Sequence, residues 1–204
     1  MGIGVLIIGH SGSGKSTSLR NCTPDRFGVV NVEHKPLPFR TDLKTYNTSN
    51  YYDIYPALKQ SKTPSIVIDD AGYLMTNEFM DRAGEKGYQK FTDMADRFWR
   101  LVHLIRELPD DRIVYLTMHI EKDADGMEKP KTIGRLLDEK VCIEGMFTIV
   151  LKSVAYDGKY VFRTKTSGND VAKTPIGMFQ DDEIENDLLM VDDIIRDYYD
   201  IKIQ

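Results

Sequence analysis

The chain has 204 residues, of which 41% are hydrophobic and 29% are charged, a composition typical of a globular protein and not of a disordered or fibrous one. Its two cysteines, Cys22 and Cys142, are too few for a disulfide framework and share no metal-ligand spacing, which favours a reducing compartment. The longest apolar run is far shorter than the ~20 residues that span a bilayer, and we find no secretory signal pattern. We therefore expect a cytoplasmic protein that does not act at a membrane.

The net charge of −5 is unevenly distributed. Residues 181–204 contain nine acidic side chains but only Arg196 and Lys202 as bases, so this segment carries −7 and residues 1–180 carry +2. The overall charge argues against a nucleic-acid partner, whereas a mildly basic body with an acidic end does not. We predict a folded core over residues 1–180 and an acidic C-terminal helix or tail over residues 181–204.

Predicted strands and helices alternate along most of the chain. Short apolar runs predict strands at residues 4–8, 27–32, 65–68 and 112–118. Helices are predicted at residues 15–21, 52–60, 91–108, where apolar residues follow the 3.6-residue period, and 187–199. Residues 33–50 look irregular and residues 120–135 look like a polar loop, while strands at 147–154 and 159–163 flank a hairpin turn at Asp157-Gly158. This order predicts an α/β fold in which helices flank a mostly parallel central sheet with a C-terminal antiparallel hairpin.

The most specific motif lies between the first strand and the first helix. Residues 9–16 read Gly-His-Ser-Gly-Ser-Gly-Lys-Ser and match the phosphate-binding pattern G-x-x-x-x-G-K-[ST], here called the P-loop. Glycines let backbone N–H groups approach phosphate oxygens, and the positive end of the following helix faces the same charge. Lys15 would reach the β- and γ-phosphates and the Ser16 hydroxyl would bind Mg²⁺. The predicted nucleotide-binding residues are Gly9, His10, Ser11, Gly12, Ser13, Gly14, Lys15, Ser16 and Thr17.

Two consecutive acids end the predicted strand 65–68. A carboxylate at the end of a buried strand beside the P-loop strand can hold Mg²⁺ through a water molecule. We assign this metal role to Asp69, together with Ser16, and assign capping of the following helix to Asp70, because aspartate is a good N-cap.

In addition to Lys15, the candidate catalytic residues are Glu33 and His119. Both follow predicted strands, and ligands of open α/β sheets bind at the carboxyl ends of the strands. Glu33 can orient and partly deprotonate a water molecule, with Asp70 as the rival base and a solvated loop glutamate as the alternative. His119 can contact the γ-phosphate and report its presence to the next loop; the alternative is an ordinary surface histidine.

In their order along the chain, the segments 9–16, 31–34, 66–69 and 115–119 resemble RecA-like recombination ATPases. The chain is more closely similar to short phage-encoded ATPases with a RecA core, a group of phage nucleotide-binding proteins that includes single-strand annealing proteins; segments 33–39 and 131–135 carry this likeness. The resemblance covers about residues 3–180. It implies a RecA-like P-loop NTPase fold for the core, ATP and Mg²⁺ as ligands, Glu33 as catalytic glutamate and the cytoplasm of a bacterial host as location. His119 stands where that family commonly has a glutamine sensor.

The same resemblance implies partners. Loops after the strand of His119 contact DNA in RecA-like proteins, so Lys129, Lys131 and Arg135 are candidates for single-stranded DNA binding; a solvated lysine loop is the alternative. Basic residues near the late hairpin often reach a neighbouring subunit's nucleotide in such proteins, which makes Arg163 and Lys165, projecting from one strand face, candidate trans-acting residues in a ring or filament. An ordinary surface strand explains them equally well. From its charge, the acidic tail is expected to cap the body, to compete with DNA for the basic loop, or to recruit phage recombination or replication proteins; a solvated amphipathic helix is the alternative.

These observations favour a Mg²⁺-dependent ATPase that acts on single-stranded DNA in phage recombination, by annealing, or in replication. One alternative is a small-molecule kinase for nucleosides or nucleotides on the same scaffold, although residues 120–135 contain a single arginine where a kinase lid would need several. The other is a nucleotide-gated interaction module with little turnover.

Overall fold

The computed structural model describes residues 1–203, apart from the side chain of Asp138. Within these residues a nine-stranded sheet forms the centre of the molecule. Its strands are β1 (Ile3–Gly9), β2 (Phe27–Asn31), β3 (Thr45–Asn47), β4 (Ser65–Asp69), β5 (Ile113–Lys122), β6 (Glu128–Pro130), β7 (Ile149–Tyr156), β8 (Lys159–Arg163) and β9 (Glu183–Glu185).

Helices connect these strands. The α-helices are α1 (Tyr51–Gln60), α2 (Tyr73–Asp81), α3 (Gln89–Glu107) and α4 (Leu188–Tyr198). Short 3₁₀-helices cover Ser16–Asn21 and Ile143–Met146, and a π-helical segment covers Leu136–Val141. Across residues 1–203, no helix combines the length and the apolar character that a membrane crossing requires.

The strand order is β3-β2-β4-β5-β1-β7-β8-β9, with β6 paired to β5 outside this path. Every pair from β3 to β7 is parallel, whereas β7-β8, β8-β9 and β5-β6 are antiparallel. The predicted fold class, a mostly parallel central sheet with flanking helices and a C-terminal antiparallel hairpin, is therefore confirmed. The expectation that the strand of Asp69 lies beside the P-loop strand is wrong, because β5 separates β4 from β1.

Alternation along the strands divides the core into two layers, since successive side chains of a strand point to opposite faces. Leu6 and Ile8 of β1 belong to the layer that α1, α2 and α3 cover. Val5 and Ile7 belong to the opposite layer, which α4 and the first 3₁₀-helix cover. Both faces of the sheet are therefore covered by helices.

Several parts of the chain differ from the sequence prediction, including residues 183–185, which form β9 and pair with β8. Residues 33–50 contain the edge strand β3, whose three residues are all exposed and thus give no apolar pattern. Residues 120–135 are not simply a polar loop, because β5 runs on to Lys122 and pairs with β6. The helical region before β5 contains two helices, α2 and α3, of which only α3 was predicted as a long helix.

Candidate active site

The carboxyl ends of β1, β2 and β4 and residue His119 within β5 surround a cleft of about 350 Å³. The P-loop forms one wall, and the residues after β2 and β4 form another. An apolar side is contributed by Pro36, Leu37, Pro38 and Tyr160. A cleft with one polar end and one apolar side has the character of a small-ligand site.

The P-loop has the backbone of an anion cradle. Gly12 and Gly14 have φ angles of +75° and +99°, a conformation that glycine adopts without a steric cost. A Cβ atom on Gly14 would lie 2.7 Å from Cδ1 of Tyr160, so this position has no room for a side chain. The Ser13 hydroxyl is buried and has no hydrogen-bond partner among the described residues. These features fit a phosphate-bearing ligand, which would lie against the turned-in N–H groups.

Lys15 is buried at the base of this cradle. Its ammonium group donates to the carbonyl oxygens of Gly9, at 3.0 Å, and His10, at 2.8 Å. Burial lowers the pKa of Lys15, and the negative charges of Asp70 and Asp69 oppose that shift. A phosphate oxygen in the cradle would favour the charged form further, as any nearby opposite charge does.

Asp69 is joined to the P-loop by direct hydrogen bonds. The Ser16 hydroxyl donates to both carboxylate oxygens, at 3.1 and 2.9 Å, and the buried Thr117 hydroxyl donates to Oδ1 at 2.8 Å. Burial raises the pKa of Asp69, although the Thr117 hydrogen bond works against it. The structure thus brings together the two predicted metal residues, Ser16 and Asp69, whose hard oxygen atoms are of the kind that Mg²⁺ prefers.

Asp70 has a left-handed backbone, with φ of 58°, and its N–H donates to the Thr117 hydroxyl at 2.7 Å. Its carboxylate lies between Lys35, whose Nζ is 3.1 Å from Oδ2, and His119, whose Nε2 is 3.4 Å from Oδ1. Burial alone would raise the pKa of Asp70, but His119 and Lys35 outweigh it and lower the pKa to about 2. The predicted capping role is wrong, because Gly72 occupies the N-cap of α2 and no side chain caps it.

Glu33 lies just after β2 and is half-buried. The side-chain amide of Asn77, on α2, donates to its Oε1 at 3.1 Å. Glu33 is on the correct edge of the sheet but is not among the residues that line the cleft. Its catalytic role therefore stays a prediction.

His119 lies within β5, not after its end as predicted, because the strand continues to Lys122. It is paired in register with Gly9, the first P-loop residue, and it lines the cleft. Its ring also meets the edge of Tyr73, with ring centroids 5.7 Å apart. The position at the cleft follows from strand register and not from a strand end.

The candidate DNA-binding residues follow the same strand. Lys129 is on β6, Lys131 is the next exposed cation, and the Arg135 side chain is 91% exposed, 3.7 Å from Glu139. The backbone N–H of Lys131 donates to the carbonyl oxygen of His119 at 2.8 Å. This basic segment, residues 129–135, is therefore attached directly to the strand that lines the cleft.

A second contact joins the β5-β6 hairpin to the P-loop. His10 Nε2 is 3.4 Å from a carboxylate oxygen of Glu128 on β6, and the other oxygen of Glu128 is 2.5 Å from the Lys152 ammonium group. Glu128 therefore lies between the P-loop and β7, on the hairpin that precedes the basic segment.

Arg163 and Lys165, the candidate trans-acting residues, form ion pairs within their own chain. Arg163 donates to Glu183 at 2.9 Å and Lys165 donates to Asp182 at 2.7 Å. Because β8 ends at Arg163, the two residues do not project from one strand face, and that expectation is wrong. Neither is among the residues that line the cleft.

The acidic C-terminal segment packs onto the core through α4. Asp187 caps this helix by accepting from the N–H of Leu189 at 2.9 Å. Asp192 is fully buried and accepts from Arg26 and from Arg196. Part of the segment's negative charge is therefore neutralised by arginine residues within the fold.

Sequence reasoning assigned no role to several residues at or beside the cleft, among them Thr117, Lys35, Asn77 and Tyr160. A signal existed only for Thr117, a small polar residue inside the apolar run of β5. The other three come from segments that are distant in sequence, so only the folded chain reveals their proximity.

The P-loop, the Ser16–Asp69 contact and the parallel sheet together define a P-loop nucleotide-binding ATPase fold. The sequence model of a family described as AAA domain matches residues 1–176. The chain belongs to this AAA domain family. A comparison with curated proteins gave no significant match.

Proposed function

We propose that this protein is a Mg²⁺-dependent, ATP-hydrolysing RecA-like protein that acts on single-stranded DNA in phage recombination, by annealing, or in replication. The observation that carries the proposal is the direct hydrogen bonding between Ser16 and Asp69 at the P-loop cleft. The attachment of the basic segment to His119 at the same cleft supports the link to DNA.

In this proposal the nucleotide phosphates bind the backbone N–H groups of the P-loop and the Lys15 ammonium group. Ser16 and Asp69 would hold Mg²⁺, which supplies charge neutralisation for the phosphate oxygens when bound. The apolar side of the cleft, which includes Tyr160 and Leu37, is available to the nucleoside. The same cleft is lined by Lys15, Ser16, Asp69, Leu37 and Tyr160.

Glu33 is the better candidate for orienting the attacking water. Both oxygens of the rival base, Asp70, already face a positive or hydrogen-donating group, from Lys35 and His119. A carboxylate engaged in this way has little freedom to accept a proton. Glu33 has one oxygen fixed by the Asn77 amide, which leaves its other oxygen for water.

DNA binding would use Lys129, Lys131 and Arg135. Three basic residues in one subunit bind the phosphate backbone weakly, so we expect a ring or filament that multiplies these contacts. The nucleotide would influence the basic segment through His119, whose carbonyl oxygen accepts from Lys131, and through His10 and Glu128.

The test is an ATPase assay with a panel of single-stranded DNA, double-stranded DNA and nucleosides. Single-stranded DNA should stimulate hydrolysis, and the double variant Lys131→Ala with Arg135→Ala should lose the stimulation while it retains basal turnover. Binding should weaken with added salt, and the log–log slope should fall by about 1 to 2 in the variant. A phosphorylated nucleoside product would instead establish a kinase, and the absence of any turnover would leave an interaction module.

A further inference from the structure

The cleft contains a cation to which the P-loop motif assigns no role. Within the part of the chain that the structure describes, the residues that line the cleft include two cationic side chains, Lys15 and Lys35. The Lys35 ammonium group is 3.1 Å from Asp70 Oδ2 and 5.1 Å from the centroid of the Tyr73 ring. Its side chain is 55% exposed, so it borders the open cleft and is accessible to a ligand there.

The backbone at Lys35 is fixed on both sides. The side-chain amide of Asn31, at the end of β2, donates to the carbonyl oxygen of Lys35 at 2.6 Å. His34 before it has a left-handed φ of 56°, and Pro36 after it restricts the conformation of Lys35 itself. The chain therefore turns sharply after β2 and brings the flexible lysine stem to the cleft.

The partner of Lys35 is fixed as well. Asp70 is held by the hydrogen bond from its N–H to Thr117, a fully buried residue on the neighbouring strand. Asp70 thus positions the Lys35 ammonium group in the cleft that Ser16 and Asp69 also line. An ammonium group has three N–H donors, so Lys35 can contact a phosphate oxygen while it keeps its bond to Asp70.

The other candidate cations are committed elsewhere. Arg163 and Lys165 pair with Glu183 and Asp182 and do not line the cleft. To reach the nucleotide, Arg163 and Lys165 would have to leave these partners and move to the cleft. Lys35 already lines the cleft together with Lys15.

We infer that Lys35 is a catalytic cation supplied by the same chain, which contacts the γ-phosphate and stabilises the negative charge of the phosphoryl group during transfer. The inference rests on the proposed ATP hydrolysis. In that reaction the water oxygen bonds to the γ-phosphorus, and the bond from phosphorus to the β–γ bridging oxygen breaks with its electron pair on ADP. The water proton passes to Glu33 and then to solvent. Lys35 forms and breaks no covalent bond and acts by charge, as an arginine finger does.

The first experiment compares Lys35→Ala, Lys35→Arg and the control Lys44→Ala, which removes an exposed cation from the same connecting segment. We expect Lys35→Ala to lower kcat about 100-fold while the affinity for MgADP stays within about twofold of the original protein. Lys35→Arg should recover part of the loss because it keeps the charge, and Lys44→Ala should behave as the original protein. Unchanged turnover in Lys35→Ala would overturn the inference.

The second experiment asks which chain supplies the cation. Lys35→Ala and Lys15→Ala proteins are mixed in equal amounts, and turnover is measured over a range of total concentrations. A cation from the same chain predicts no recovery, since neither protein then has a complete site. Recovery on mixing would assign Lys35 to a neighbouring subunit and overturn the same-chain role.

A binding measurement separates this inference from the proposed function. Affinities for Mg²⁺-ATPγS and MgADP are compared in the original protein and in Lys35→Ala. A contact with the γ-phosphate predicts that the variant loses preference for the triphosphate, by about 10-fold for a charge-assisted contact, whether or not ATP is hydrolysed. If the preference for Mg²⁺-ATPγS over MgADP is unchanged in Lys35→Ala, the Lys35 contact is ruled out. If the original protein does not hydrolyse ATP, only the proposed function is ruled out.

Discussion

Asp69 and Asp192 are both buried aspartates, but they have different surroundings. Asp192 is fully buried and accepts from two guanidinium groups, of Arg26 and Arg196, as well as from the hydroxyls of Ser65 and Tyr115. In the described contacts, the Asp69 carboxylate accepts only from the hydroxyls of Ser16 and Thr117. The charge of Asp192 is compensated within the fold, whereas the charge of Asp69 is left for a ligand to compensate.

The two sites occupy opposite ends of one strand. β4 begins at Ser65, which donates to Asp192, and ends at Asp69. Burial is therefore a poor guide to function in this molecule, because the structural carboxylate is the more buried of the two. The better guide is whether the protein alone satisfies the charge, since buried charges are otherwise paired or bind metals.

The largest expected effect is that of Lys15→Ala on nucleotide affinity. Removing the ammonium group at the base of the cradle should abolish detectable ATP binding by calorimetry, because this group would bind the β- and γ-phosphates. Thermal stability should change little, since a desolvated charge is removed with it. The exposed Lys59→Ala serves as the matched control. Retained ATP affinity in Lys15→Ala would contradict the assignment of the cleft.

Asp192→Ala should lower the stability of the protein and leave nucleotide binding unchanged. Loss of this carboxylate leaves the buried Arg196 guanidinium without its ion pair, and breaking a buried pair costs about 3–5 kcal/mol of unfolding free energy. Urea unfolding measures this cost. Asp193→Ala, which removes the 61% exposed second partner of Arg26, should cost less than about 1 kcal/mol. Below its melting temperature the Asp192→Ala protein should bind nucleotide normally; lost affinity would show that the two ends of β4 are not independent.

The smallest expected effect is on turnover, and it distinguishes Glu33 from Asp70 as the base. Glu33→Gln should retain nucleotide binding and lower turnover about 100-fold, because the amide cannot accept the proton of water. Asp70→Asn should reduce turnover less, since the amide can still accept from Lys35. Single-turnover assays measure both. A greater loss in Asp70→Asn than in Glu33→Gln would assign the base to Asp70.

Much of the fold could be predicted from local patterns. Apolar runs marked β1, β2, β4 and β5, and the 3.6-residue period marked α3. The short strands β3 and β9 carry mostly exposed side chains, so no apolar pattern distinguishes them from loops. Strand order could not be predicted either, because the position of β5 between β1 and β4 depends on packing between distant segments.

The candidate site also has a part that could be predicted from the sequence and a part that could not. The P-loop could be found because its chemistry requires fixed residue types at fixed spacing in one short segment. Lys35, Thr117 and Asn77 have no such spacing, since each acts on a residue from another strand or helix. Asp70 also has a left-handed backbone and donates its N–H to Thr117 on the adjacent strand, a contact that the local rule for helix capping does not take into account.

The sheet order also bears on how the protein folds. Ser16 and Asp69 are separated by 53 residues and Thr117 and Asp69 by 48, and parallel pairs of such separation form slowly. Binding competence should therefore arise late in folding, after β5 has docked between β1 and β4. A nucleotide that binds only the finished sheet would then pull folding to completion by mass action, so its concentration in the cell would help set how much of this protein is folded.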